Sequence, residues 1–163
     1  MSRLWAPWRK TYIRPKRRKP KGCLFCRFLA DRKKDARNYL IKRTPLSFAL
    51  LNLYPYNNGH VLILPKRHVD SLGKLTAREK LDWLELCDEL IAALRKELKP
   101  QGFNVGINLG AAAGAGIPKH LHLHIVPRWP GDVNFMPVLA GTKVISESLD
   151  SLYDLLTRSL NKK

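Results

Sequence analysis

The chain has 163 residues, 45% of them apolar and 26% charged, with 11 Pro and 10 Gly. That is one globular domain's worth of sequence, and it excludes wholesale disorder, collagen-like repeats and two full-sized domains. Thirty Lys and Arg against 13 Asp and Glu give a net charge of +17, a field that favours nucleic acid, an anionic surface or a polyphosphate substrate.

Residues 1–22 carry nine basic residues and no acidic one. They read as an arm, with Trp5, Pro7 and Trp8 as anchors and Arg14 to Lys21 as an extended tether. Such an arm either docks a polyanion, nucleic acid included, or is a solvated segment that aids solubility or packs on a partner subunit. No apolar h-region follows the N-terminal charges. The longest apolar runs, such as Phe48 to Leu51 and Val61 to Leu64, fall far short of the ~18 residues of a membrane span. The expectation is a soluble, cytoplasmic protein with no membrane partner.

Cys23 to Ala30 reads as a short helix or turn, and residues 39–43 and 46–53 as strands. The second run meets Tyr54-Pro-Tyr-Asn-Asn-Gly59 and then His60 to Leu64, which predicts an antiparallel hairpin. The clearest helix spans Thr76 to Leu98. Thr76 and Glu79 form a capping box, and Trp83, Leu86, Cys87, Leu90, Ile91, Leu94 and Leu98 recur at the spacing of one buried helix face. Cys87 lies on that stripe and is expected to be a buried core residue. Lys99, Pro100 and Gly102 stop the helix. Phe103 to Leu109 and His120 to Val126 are further strands, and Ser146 to Leu160 a terminal helix. Runs of strands without regular β-α alternation predict α+β with an antiparallel sheet.

Three cysteines are too few for a disulfide framework. Cys23 and Cys26 form a C-x-x-C, which in a cytosolic chain signals metal or redox chemistry. Three of the five histidines fall in His120-Leu-His122-Leu-His124-Ile-Val126. On a strand, period two puts the imidazoles on one face and the aliphatic side chains on the other. Three buried imidazoles each need a partner, so packing alone does not explain them. Imidazoles serve as metal ligands, acid–base groups or nucleophiles. The preceding Asn108-Leu-Gly110-Ala-Ala-Ala-Gly114-Ala115-Gly116 is rich in small residues, as backbone anion-binding loops are. Beside an imidazole row in a very basic protein, it points to phosphate-ester chemistry.

The row His120 to Val126, with Pro127-Arg128 after it, resembles the signature of the histidine triad (HIT) superfamily of nucleotide hydrolases and transferases. Leu46 to Asn52 and Gly59 to Ile63 resemble its fragile-histidine-triad branch. Trp5-Ala-Pro-Trp8-Arg9 and Pro127 to Phe135 resemble prokaryotic members related to diadenosine tetraphosphate phosphorylases and hydrolases. The resemblance spans about residues 3 to 136. It implies a HIT-like fold over 23–136, a C-terminal extension with its helix over 137–163, and a homodimer.

The resemblance also implies an activity: cleavage of dinucleoside polyphosphates, diadenosine tetraphosphate foremost, by phosphorolysis or hydrolysis. His122 would attack the α-phosphorus and carry an adenylyl group, with its tautomer fixed by the carbonyl of His120. His124 would bind phosphate oxygens and help with protons. Asn52 falls on the ribose side and Asn108 near the phosphates, with backbone donors from Gly114, Ala115 and Gly116 and Trp129 packed near a second nucleotide. Cys23, Cys26, His68 and His120 match a structural Zn2+ site, and no organic cofactor is implied. His60 is a hairpin residue or a support for the site rather than a ligand. Family members often carry Gln-Ser or Gln-Thr before the triad, where this chain has Gly116-Ile-Pro-Lys119, which argues against the purine phosphoramidase branch. Rival activities are hydrolysis of a nucleoside phosphoramidate or other nucleotidyl compound and, without catalysis, a nucleotide- or nucleic-acid-binding adaptor using the arm.

Overall fold

The computed structural model describes residues 22–133 and 144–161. The anchors and tether of the basic arm lie outside them, as do Asn134 to Met136 at the end of the expected domain. Five strands form one antiparallel sheet: β1 (Leu40–Arg43), β2 (Ser47–Leu51), β3 (Val61–Pro65), β4 (Gly102–Ile107) and β5 (Leu123–Arg128). Their spatial order is β1-β2-β3-β5-β4. Helices α1 (Leu24–Ala30), α2 (Ala77–Leu98) and α3 (Leu149–Asn161) complete the frame. The α+β prediction stands.

Both faces of the sheet are covered at its central strands. That is why β2 and β3 are buried at every position and read as continuous apolar runs rather than as alternation. Ala49, Leu51, Val61, Ile63, Leu123 and Ile125 pack with Leu86, Leu90 and Leu94 of α2. Leu152 and Leu156 of α3 sit in the same core, so the terminal helix is built into the body of the fold. The other face holds Leu40, Phe48, Leu50, Leu62 and Leu64 with Phe25 of α1. The stripe on α2 is buried as the periodicity requires. Its capping box is formed, with Glu79 N–H donating to Thr76 Oγ1 (3.2 Å) and Thr76 N–H to Glu79 Oε2 (2.8 Å). Cys87 is 4% exposed, and burial, then Asp88, push its thiol up to about 11. It is a core residue.

Several strand boundaries move, β4 among them, which spans Gly102–Ile107 rather than Phe103 to Leu109. β2 ends at Leu51 and β3 starts at Val61, and Asn52 N–H bonded to His60 C=O (2.9 Å) closes the loop between them. Gly59 holds that loop at φ +71°, and a Cβ there would lie 2.6 Å from Leu98 Cδ1, so only glycine fits without displacement. β5 starts at Leu123, so His120 and His122 precede it. The cause sits on β3, where Pro65 has no N–H to continue the ladder and its carbonyl lies 3.0 Å from His120 Nε2.

Candidate functional site

The aliphatic half of the triad segment enters the α2 core through Leu121, Leu123 and Ile125. Its imidazoles face the other way. His124 pairs across the sheet with Leu62, and Phe25 lies edge-on to His120 and tilted against His122, with ring centroids 5.6 Å apart in each case. A cleft of about 370 Å³ opens on this face. Leu24, Phe25, Phe28, Leu50, Leu62 and Ile117 make one wall, and Asn52, Leu53, Tyr54, Tyr56, Gly114, Gly116, His122 and His124 complete it.

Hydrogen positions follow from the partners. His122 Nδ1 lies 2.8 Å from the His120 carbonyl oxygen. A carbonyl only accepts, so Nδ1 carries a proton, and in the neutral ring the lone pair is on Nε2. His60 Nδ1 accepts from Tyr56 N–H at 3.0 Å, and its Nε2 lies 2.9 Å from His124 Nδ1. In the neutral state His60 therefore donates from Nε2, which puts the His124 proton on its own Nε2. That nitrogen is buried and has no hydrogen-bond partner among the described residues. Burial, followed by the neighbouring imidazoles, lowers His60 to about 3; burial and then His122 lower His124 to about 4. Both are neutral near pH 7. The cleft thus presents a bare imidazole nitrogen on His122 beside an N–H on His124, with ring centroids 5.0 Å apart.

The loop before the triad turns at Gly114 (φ +89°) after a single 3-10 turn, Ala111–Ala113. Gly114 N–H and Ala115 N–H already donate to Ala111 and Gly110 carbonyls, at 3.0 and 3.3 Å. Among the described residues Gly116 N–H has no such partner, so of the three expected backbone donors it is the free one. Asn52 and Gly114 line the cleft with the triad. Asn108 joins through its Nδ2, 3.5 Å from the Tyr56 hydroxyl. Trp129 is placed elsewhere. It borders a separate cleft of about 340 Å³ with Asn57, Asn58 and Asp132, where Asp132 takes Arg128 Nε and Asn57 Nδ2, both at 2.7 Å.

Cys23, Cys26, His68 and His120 converge, with their donor atoms all within 4.8 Å of one another. His120 Nδ1 lies 3.3 Å from Cys23 Sγ, 3.6 Å from Cys26 Sγ and 3.3 Å from His68 Nδ1. Bonds of about 2.0–2.1 Å to nitrogen and 2.3 Å to sulfur set tetrahedral donors roughly 3.3–3.8 Å apart. The donor set fits a metal of that kind. Moreover, Pro65 C=O takes the Nε2 proton of His120 and leaves Nδ1 as the donor lone pair, an outer hydrogen bond typical of metal-bound histidine. His120 serves both constellations: its ring joins the cysteines while its carbonyl orients His122.

Sequence reasoning gave His60 only a supporting place, and the contribution of Tyr56 went unseen. The one local signal was Tyr56-Asn-Asn-Gly-His60, a turn whose polar residues adjoin a histidine. Tyr56 lies parallel to the His124 ring, with 10° between planes and centroids 5.5 Å apart.

The HIT domain family model matches residues 33–131. An AP-4-A phosphorylase from Mycobacterium tuberculosis is 37% identical over 163 residues, covering 96% of this chain and 83% of that protein. An asymmetrical bis(5′-nucleosyl)-tetraphosphatase from Schizosaccharomyces pombe is 39% identical over 90 residues, 55% of this chain and 49% of its own. Among solved structures, a Zn-bound histidine triad family protein from Mycobacterium smegmatis superposes with a TM-score of 0.68 at 26% identity, covering 85% of this chain and 93% of that one. Among the described residues, no helix is long and apolar enough to cross a membrane.

Proposed function

The chain belongs to the HIT domain family, and from that premise we propose that it is a nucleotidyl hydrolase or transferase that cleaves dinucleoside polyphosphates, diadenosine tetraphosphate foremost. The observation that carries this is the 2.8 Å contact from His122 Nδ1 to the His120 carbonyl, which leaves His122 Nε2 bare in the cleft. A neutral imidazole attacks without prior deprotonation and leaves well afterwards. His122 Nε2 forms a bond to the α-phosphorus, and the bridging P–O bond breaks with its electron pair on the departing polyphosphate. Water or inorganic phosphate then displaces His122 and restores the neutral ring, a water proton going to solvent. His124 Nε2–H donates to a non-bridging oxygen as charge builds there. Asn52 sits toward the ribose, the apolar wall takes the base, and Gly116 N–H with Asn108 faces the phosphates.

Cys23, Cys26, His68 and His120 would hold a closed, structural zinc, which supplies folding energy. Around it the chain's own residues anchor α1 and fix His120, and no organic cofactor is needed. A homodimer belongs to the same proposal: β4 is an edge strand with Asn104, Val105 and Gly106 exposed, and such an edge calls for cover. The test is incubation with diadenosine tetraphosphate with and without inorganic phosphate. ADP plus ATP only with phosphate identifies phosphorolysis. AMP plus ATP without it identifies hydrolysis, and an intact substrate in both arms overturns the proposal.

A further inference from the structure

We propose that the Tyr56 hydroxyl donates to the polyphosphate beyond the α-phosphate, so that Tyr56 selects substrates by the charge of their leaving group. This rests on the nucleotidyl-transfer function above and adds to it the recognition of the departing chain. If His122 takes the α-phosphorus and the apolar wall near Phe25 and Leu62 takes the base, the remaining phosphates leave past His124. Tyr56 stands there. Its N–H donates to His60, its ring lies parallel to that of His124 with centroids 5.5 Å apart, and Asn108 Nδ2 lies 3.5 Å from its oxygen.

Those contacts decide what the hydroxyl offers. Asn108 donates to the phenol oxygen, so the phenol's own O–H is not used in that bond. Contacts with the His60 and His124 rings and the Asn108 bond hold the Tyr56 ring, yet 51% of the residue is open at the cleft mouth. A polyphosphate in this cleft also has few other donors to meet. No Lys, Arg, Ser or Thr lines it among the described residues, and the only hydroxyls are those of Tyr54 and Tyr56. Tyr54 is 77% exposed and lacks the histidine stacking. Among the described residues, the donors that line the cleft are thus neutral.

Tyr56→Phe keeps the ring and deletes only the O–H. Two substrates share the adenylyl group: diadenosine tetraphosphate, and an adenosine 5′-monophosphate p-nitrophenyl ester with no phosphate beyond the α. The expected result is a loss of about tenfold in kcat/KM for the polyphosphate and under about twofold for the aryl ester, the size of one hydrogen bond to a charged oxygen. Equal losses, or no loss, overturn the proposal. Binding measurements probe the same hydroxyl without relying on turnover. The affinity of α,β-methylene-ATP should fall about tenfold in Tyr56→Phe while that of AMP holds. Wild-type protein that cleaves neither substrate removes the proposed activity, while the two binding affinities still test Tyr56. Wild-type protein that binds α,β-methylene-ATP no better than AMP overturns Tyr56 recognition alone.

Discussion

Replacing His60 with leucine tests the wiring behind the triad. His60 is 1% exposed, and leucine fills most of its volume while deleting its contacts to Tyr56 N–H (3.0 Å), Asn52 Nδ2 (3.2 Å) and His124 Nδ1 (2.9 Å). Asn52 and Tyr56 lie where water can replace the lost partner. His124 is 8% exposed and has no such recourse, so leaving its Nδ1 unpaired costs about 1–3 kcal/mol. With roughly 1 kcal/mol for the remaining bonds, the total is about 2–4 kcal/mol. For a chain this long that lowers Tm by roughly 4–16 °C. His124 then loses the partner that keeps its proton on Nε2, and kcat should fall about 10²-fold, the scale of one lost transition-state donor. His60→Gln, whose amide still donates, should recover part of both effects. The assay pairs thermal unfolding with steady-state cleavage of diadenosine tetraphosphate. A Tm within about 2 °C of wild type and kcat within about threefold in His60→Leu would refute the reasoning.

Two further outcomes follow from the same residues. Purified protein should hold about one zinc per chain, and Cys23→Ser should lose both metal and thermal stability; metal-free protein whose melting ignores a chelator would remove the site. His60 and His124 are lowered to about 3 and about 4 in the fold, against ~6.5 when unfolded, so the native state binds fewer protons between those values. The stability they contribute is complete above the unfolded pKa and is lost as pH falls toward the folded ones. Urea midpoints should therefore drop from pH 7 to pH 5. The slope should be shallower in His60→Gln by about 1 kcal/mol per pH unit averaged over that window, since any metal release at acid pH acts on both proteins. Equal slopes would contradict the burial of a neutral His60.

The strands, the long helix and the two-sided triad segment were legible in the sequence because each rests on local periodicity. Trp83 to Leu98 mark one helix face, and His120 to Ile125 alternate between imidazole and aliphatic side chains. The Cys23, Cys26, His68 and His120 set was reached through family resemblance, since spacing along the chain says nothing of the approach of α1 to the end of β3. What stayed hidden depends on tertiary placement. β5 begins late because Pro65 of a neighbouring strand cannot donate. Gly114 and Ala115 looked like free anion donors until the 3-10 turn used their N–H groups. Trp129 follows the triad directly, yet the turn at Gly131 (φ +74°) and the Asp132 contacts with Arg128 and Asn57 hold this segment beside the other cleft. His60 and Tyr56 gain their roles only when the β2–β3 loop folds over His124.

The most direct measurement is chemical capture of the intermediate. Wild-type protein mixed with diadenosine tetraphosphate labelled in the adenosine moiety is quenched in alkali and digested. The label should appear as an acid-labile, base-stable adenylate on the peptide containing His122. His122→Asn should still bind nucleotide but carry no label and lose turnover by several orders of magnitude, because deleting a covalent route affects the chemical step far more than ground-state binding. His124→Asn should be milder, since the attacking nitrogen remains. Label on any other residue, or near-normal turnover in His122→Asn, would contradict nucleophilic catalysis by His122.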